Sequence, residues 1–374
     1  MSALFQPLSL RELTLSNRVV VSPMCQYSAV DGNAQSWHTV HLGQLAMASA
    51  GMLILEATAV ENVGRITPAC LGLYSDDNEA SMAALLANIR GLSSGNPTPI
   101  CVQLSHAGRK ASSYVPWESG KQIPLSEGGW QAFAPSAVAH GAGELAPQSL
   151  SVDELKDLTL RFVTAVERSE RLGIESIELH GAHGYLLHQF LSPVANHRTD
   201  QYGGSLENRM RYPLELFGAM REAWPRNKPL GIRISASDWD AASSWDIDEA
   251  IVFCKLLAQA GCDWIDVSSG GVSASQKIEL KPAYQVHFAN AIRQAIDIPV
   301  MAVGLITEPK QAEEIVASGQ ADMVALARAL LYNPRWVWHA AAELGATVTA
   351  PRQYWRSAPA GVGRVFGDAP IGQR

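Results

Sequence analysis

Cysteine is scarce and follows no paired pattern. The five residues, Cys25, Cys70, Cys101, Cys254 and Cys262, are odd in number and show no CxxC spacing. That excludes a zinc ribbon and an iron–sulfur cluster and reads as reduced thiols of a cytoplasmic protein. Positive charge is in deficit as well. Lys+Arg number 29 against Asp+Glu 36, for a formal net charge of -7. No basic stripe accompanies that balance, so neither nucleic acid nor an anionic membrane is expected as a partner. No apolar run approaches the ~20 residues of a membrane-spanning helix. Met1-Ser2-Ala3-Leu4-Phe5 lacks the basic-then-apolar order of a signal peptide. A GxGxxG after the first strand is also missing, which argues against an open dinucleotide-binding sheet.

What is present is repetition. The chain has 374 residues, 47% of them hydrophobic, ample for a large core. One phrase returns: helix, glycine, short turn, apolar strand. It occurs at Ala50-Gly51, Leu172-Gly173, Ala260-Gly261 and Ser318-Gly319. Glycine suits the left-handed position just past a helix end, and short apolar runs between helices suit parallel strands covered on both faces. Eight strand–helix units begin near Val19, Leu53, Ile100, Ile174, Leu230, Trp264, Val300 and Met323. They predict a closed (β/α)8 TIM barrel, an α/β fold, with an N-terminal β-hairpin cap within Leu4 to Leu15. Ser151-Val152-Asp153-Glu154 is a capping box, and Leu155, Leu158, Phe162 and Val166 then share one helical face. Thr307 is expected to start another helix, with Pro309 in its first turn. Residues 1–356 are expected to form one domain. Ala111 to Ser149 reads as an excursion over the barrel mouth, and residues 357–374 as a tail that is flexible or ordered by a partner.

In a barrel of this kind the C-terminal strand ends build the active site. Those ends carry Pro23-Met24-Cys25-Gln26-Tyr27, Glu56-Ala57-Thr58, Gln103 with His106, His180 with His183 and Tyr185, Arg233, Ser268-Ser269-Gly270-Gly271, Gly304, and Ala327-Arg328. The fourth set is the densest. Two imidazoles three positions apart and a phenol two further on offer donors for an anionic oxygen and a source of a proton. Backbone NH groups after strands seven and eight commonly grip a phosphate, which suits Gly304 and Ala327-Arg328. Arg233 shares its strand face with Gly231 and Ser235, so it aims into the barrel and must meet an anion: a ligand, or an Asp or Glu.

Longer motifs carry a family resemblance. Ser22-Pro23-Met24-Cys25, His106-Ala107-Gly108-Arg109-Lys110, His180-Gly181-Ala182-His183-Gly184-Tyr185-Leu186 and the run His197 to Arg209 resemble the Old Yellow Enzyme family of flavin ene-reductases. The Cys after Ser-Pro-Met and the second His resemble its bacterial subclass that includes the xenobiotic reductases. The resemblance implies that residues 1–356 bind FMN and use NADPH, or NADH, to reduce activated alkenes and nitro compounds. It implies that Ser22, Pro23, Met24, Cys25, Ala57, Gln103, Arg233, Gly304, Ala327 and Arg328 bind FMN. It further implies that His180 and His183 hold the substrate oxygen, that Tyr185 donates the proton, and that Tyr27 contacts substrate. Arg356 resembles an arginine that reaches into a neighbouring subunit's site, which implies a homodimer or a dimer-based tetramer. Ala327 stands where relatives usually have Gly. Two other classes compete. One is a metal-dependent barrel hydrolase or lyase with His180 and His183 as ligands, but no paired carboxylate completes a three-ligand set, so no metal is expected. The other is a flavin-binding protein without turnover.

Overall fold

A computed structural model describes residues 1–92, 97–359 and 364–367. Two short strands, β1 (Leu8–Leu10) and β2 (Leu13–Leu15), form an antiparallel hairpin. They are followed by β3 (Val19–Val21), β4 (Met52–Ala59), β5 (Ile100–Ser105), β6 (Phe133–Ala134), β7 (Gln148–Ser149), β8 (Ser176–Gly181), β9 (Leu230–Ser235), β10 (Ile265–Ser268), β11 (Val300–Ala302) and β12 (Met323–Leu326). Eight of them, β3, β4, β5, β8, β9, β10, β11 and β12, pair in parallel and close into a barrel. These are the eight units read from the sequence, and the hairpin stands where it was expected.

Alternation along the strands divides the core in two. Leu230, Ile232 and Ile234 belong to the large apolar cluster under the helices, while Val20, Met52, Ile54, Cys101, Trp264, Met301 and Met323 form a separate cluster inside the barrel. Leu10 and Leu15 of the hairpin join that inner cluster, so the hairpin plugs one end of the barrel. The helices are α1 (Ser36–Ala46), α2 (Asp76–Gly91), α3 (Val152–Arg171), α4 (Leu186–Leu191), α5 (Leu206–Ala223), α6 (Ile247–Gln259), α7 (Val286–Arg293), α8 (Pro309–Ala317), α9 (Arg328–Tyr332) and α10 (Trp336–Leu344). The Ser151–Glu154 capping box caps α3, and Leu155, Leu158, Phe162 and Val166 are buried along it. One boundary differs by a residue. Glu308 is the cap of α8, Pro309 its first residue, and Thr307 lies outside, its N–H donating to Gln311 Oε1.

The third βα loop is folded on itself. Phe133–Ala134 pairs with Gln148–Ser149, and the Trp130 indole N–H donates to Val63 O of the second loop at 2.9 Å. Of the tail after Arg356, residues 357–359 and 364–367 are described, and the second piece packs on the chain's own body. Val365 is buried, its carbonyl accepts from Val348 N–H, and the Phe366 ring lies 5.2 Å from Trp338. Residues 360–363 and 368–374 lie outside the described residues. No helix among the described residues is long and apolar enough to cross a membrane.

Inside the barrel Gly231 accommodates the Trp264 indole: a Cβ there would lie 2.1 Å from the ring. Gly231→Ala is therefore expected to lower the unfolding free energy by about 1–3 kcal/mol. A urea midpoint unchanged from wild type would show that the ring moves aside freely.

Candidate active site

The end of β8 delivers the densest chemistry. After Gly181 the chain turns through His183 (φ 58°) and Gly184 (φ 72°), both left-handed. Gly184 and Gly271 meet backbone to backbone. A Cβ on Gly184 would sit 2.0 Å from Gly271 O, and one on Gly271 would sit 2.4 Å from the His183 carbonyl carbon. Glycine is required at both. A non-glycine residue in this region carries about 1–3 kcal/mol of strain and persists only where its neighbours hold it. His183 is so held. Its N–H donates to Ser235 Oγ at 2.9 Å, and its carbonyl accepts from Lys110 Nζ at 2.9 Å. The same ammonium reaches Gly271 O at 3.0 Å. The Gly184 N–H donates to His188 Nδ1, whose Nε2 lies 2.7 Å from Asp238 Oδ1 in full burial.

The two imidazoles differ in their partners. His180 and His183 stand edge to face at 5.3 Å, and the Tyr185 ring is edge to face with His180 at 5.0 Å. Burial, then the Arg233 charge, pushes both imidazoles well below the usual histidine range, so both are neutral. The Ala182 N–H donates to His180 Nδ1. The proton of the neutral ring is therefore on Nε2, which has no partner among the described residues. His183 Nε2 instead lies 2.7 Å from Ser268 Oγ, which in turn donates to Gln285 Oε1 at 3.4 Å. Burial, then Cys25 and Tyr27, raises the Tyr185 phenol well above its ordinary value, so it holds its proton. Lys110 Nζ lies 5.0 Å from the centre of its ring.

Cys25 and Tyr27 come from the turn after β3. Glu56, buried within β4, accepts from Gln26 N–H at 3.2 Å and fixes that turn. Tyr27 (φ 50°) meets Trp117 of the third loop edge to face at 5.6 Å. The neighbouring Cys70 thiol and burial hold Cys25 protonated, which disfavours a nucleophilic role. Ala57 and Gln103 are buried, Pro23 and Met24 half-buried.

On the remaining side Arg233 Nη1 donates to Ser22 Oγ at 3.1 Å, and Nε lies 3.3 Å from Asp266 Oδ2. Both alternatives left open for an inward arginine are thus partly realised: it has an acidic neighbour, and it also lines a cavity. That cavity, of about 190 Å³, is bounded by His183, Arg233, Ser268, Gly304, Ala327 and Arg328. Gly304 (φ 120°) is left-handed, and a Cβ there would meet Gln285 Nε2 at 2.8 Å.

Comparison with known proteins gives the family. Residues 3–346 match the model of the NADH:flavin oxidoreductase / NADH oxidase family. This chain belongs to that family. The Old Yellow Enzyme resemblance carried by its motifs holds. An NADPH dehydrogenase of Bacillus subtilis (strain 168) is 40% identical over 355 residues, 94% of this chain and 98% of the relative. An NADPH dehydrogenase of Geobacillus sp. (strain WCH70) is 41% identical over 355 residues, with the same coverage. Among solved structures, morphinone reductase in complex with tetrahydroNAD superposes with a TM-score of 0.75 at 26% identity, covering 99% of this chain and 98% of that one.

The residues at the strand ends suit the flavin of this family. A buried guanidinium whose Nε makes no hydrogen bond, a cavity of small residues at Gly304 and Ala327, and the exposed Arg328 beside it could hold a polar ring and a phosphate. The structure brings Ser22, Arg233, Gly304, Ala327, Arg328 and His183 to one side and Cys25, Tyr27, His180 and Tyr185 to the other. Gln103 Nε2 donates to Glu178 Oε1 at 2.8 Å. Arg356 is apart, exposed on the 3₁₀ turn Arg352–Ser357, and does not line the cavity. Lys110, Asp238, Asp266 and the buried Glu178 stand outside the strand-end set legible in the sequence. The signal was available for the last two, which are charged residues inside apolar strands.

Because both imidazoles are already neutral, binding of a phenol ligand should show no histidine inflection between about pH 5 and 8. A titration in which affinity changes with a midpoint near 6.5 would show one of them to be an ordinary solvated histidine.

Proposed function

We propose that this protein is an FMN-dependent NAD(P)H oxidoreductase that reduces the activated C=C bond of α,β-unsaturated carbonyl compounds, and nitro compounds as a secondary class. The observation that carries the reading is the unpartnered Nε2–H of neutral His180 beside the protonated Tyr185 ring, at the mouth of a family flavin site. The NADPH dehydrogenase relatives and the nicotinamide analogue in morphinone reductase support the reductant.

When bound, FMN supplies the hydride chemistry that no side chain here provides. The protein's residues do the rest. Gly304, Ala327 and Arg328 hold the phosphate, and Ser22 to Cys25, Ala57 and Gln103 meet the ring. Arg233 sets a fixed cation where negative charge gathers, without reorganisation. His180 Nε2–H donates to the substrate oxygen. His183 joins it by releasing Ser268. Each well-placed donor is worth about 3 kcal/mol to the developing enolate. The Tyr185 phenol then gives its proton to the α-carbon, and Tyr27 contacts the substrate.

Purified protein is expected to be yellow and to bleach with NADPH under anaerobic conditions. In Tyr185→Phe, bleaching should persist while alkene reduction slows by about 10²-fold or more. Equal slowing of both half-reactions would remove Tyr185 as the proton donor, and a folded but colourless protein would remove the flavin reading.

A second copy is part of this reading. Trp37 and Val40 on α1, Leu331 and Tyr332 on α9, and Tyr354 are all exposed. Arg335 ties these elements together, donating to Gln44 O and lying over the Trp338 and Tyr354 rings at 4.5 and 4.9 Å. This face suits the interface of a homodimer, or of a dimer-based tetramer, in which Arg356 reaches the partner's substrate. Arg356→Ala should weaken substrate binding about 10-fold, with the assembly intact by sedimentation. Unchanged affinity would leave Arg356 a surface residue.

A further inference from the structure

Glu178 and Asp266 have no part in the chemistry above, yet both lie inside the barrel with no exposed surface. They flank Arg233, which sits on the strand between theirs. Neither Asp266 oxygen has a hydrogen-bond partner, and Arg233 Nε, 3.3 Å from Oδ2, has none either. Glu178 accepts from Gln103 Nε2 at 2.8 Å and weakly from the Trp264 indole N–H at 3.4 Å. The other walls add little charge. From β5, Cys101 is held as a thiol by burial and by these carboxylates. His180 on β8 is neutral. Val20, Met52, Ile54, Met301 and Met323 are apolar.

Two carboxylates therefore share one guanidinium out of reach of water. A second uncompensated charge there costs several kcal/mol, so the pair retains one proton at neutral pH and gives it up only in alkaline solution. Burial, then Asp266, lifts Glu178 to about 8.

We propose that the Glu178–Asp266 pair is a proton store linked to the electron count of the flavin: when both carboxylates are ionised, two-electron reduction of bound FMN draws one solvent proton onto the pair. The proposal rests on the flavin reading. The step balances. Hydride brings two electrons and one proton to the ring and leaves one added negative charge beside Arg233. A solvent proton then forms an O–H bond on a carboxylate of the pair, and it returns to solvent on reoxidation. Only the hydride donor is oxidised. The pair acts through Arg233, as a positioning group, and touches no reacting atom.

Lys110 titrates in the same range, lowered to about 8 by burial, so the test has to separate it from the acids. FMN-loaded protein is reduced electrochemically under anaerobic conditions, so that the proton the ring gains also comes from solvent, with proton uptake read by a pH dye and carboxyl bands by infrared difference spectroscopy. Wild type should take up one proton per two electrons near about pH 7 and approach two near about pH 9. At the higher pH a protonated-carboxyl band should appear on reduction. Glu178→Gln should lose both the band and the second proton. A count that stays at one in wild type overturns the proposal. So does a second proton without the band, which would belong to Lys110. The wild-type measurements decide even where the variant does not fold. A colourless protein overturns the cofactor reading first and this inference with it.

Discussion

A guanidinium inside a closed barrel constrains everything around it. A charged side chain cannot stand unpaired where water does not reach, and Arg233 is such a case. Its strand gives it a direction, because Gly231, Arg233 and Ser235 face the interior while Leu230, Ile232 and Ile234 face the helices. Its neighbours then have to supply oxygen. Ser22 does so from the end of β3, and Asp266 supplies charge from β10 without a well-formed hydrogen bond. The arginine is compensated but not saturated. That leaves a pre-aligned cation whose interaction with a ring that gains charge requires little rearrangement.

The barrel alone would not hold the donors of β8 in place. His180 is still within the ladder, but His183 and Tyr185 sit beyond it, on a turn whose left-handed residues need outside support. Arg109 and Lys110 provide much of it. Lys110 joins His183 to Gly271, and Arg109 donates to Val272 O at 2.6 Å while reaching Val138 O and Ala139 O of the third loop. Loops three, four and six are thereby locked to one another through backbone carbonyls. The third loop also carries Trp117 against Tyr27, so the residues that support the imidazoles and a residue at the mouth belong to one locked set.

The strands were legible because their apolar runs are short and punctuated by glycine, and the strand ends followed from the fold. Arg233 was legible as inward-facing but not in its partner, since the choice between ligand and acid depends on a neighbour 33 positions away on β10. Glu178 and Asp266 were visible as charges in apolar strands, yet nothing in the linear sequence says that one guanidinium sits between them. The pairing of Gly184 with Gly271 likewise belongs to tertiary contact. The histidines were found as a pair, but their inequality was not, because it depends on Ala182 N–H reaching one ring and Ser268 the other.

That inequality bears on how the proposed reduction would be favoured. His180 presents its donor at all times. His183 has to exchange Ser268 for the substrate oxygen, and a swap between neutral partners is worth only about 0.5–1.5 kcal/mol either way. A ketone oxygen in the ground state gains little from it. An oxygen that accumulates negative charge gains more, because a hydrogen bond to a charged acceptor is roughly twice as strong. The second imidazole would then engage chiefly as the enolate forms, and an interaction stronger in the transition state than in the bound substrate raises turnover rather than affinity alone. Ser268, through Gln285, keeps that ring oriented until the charge arrives.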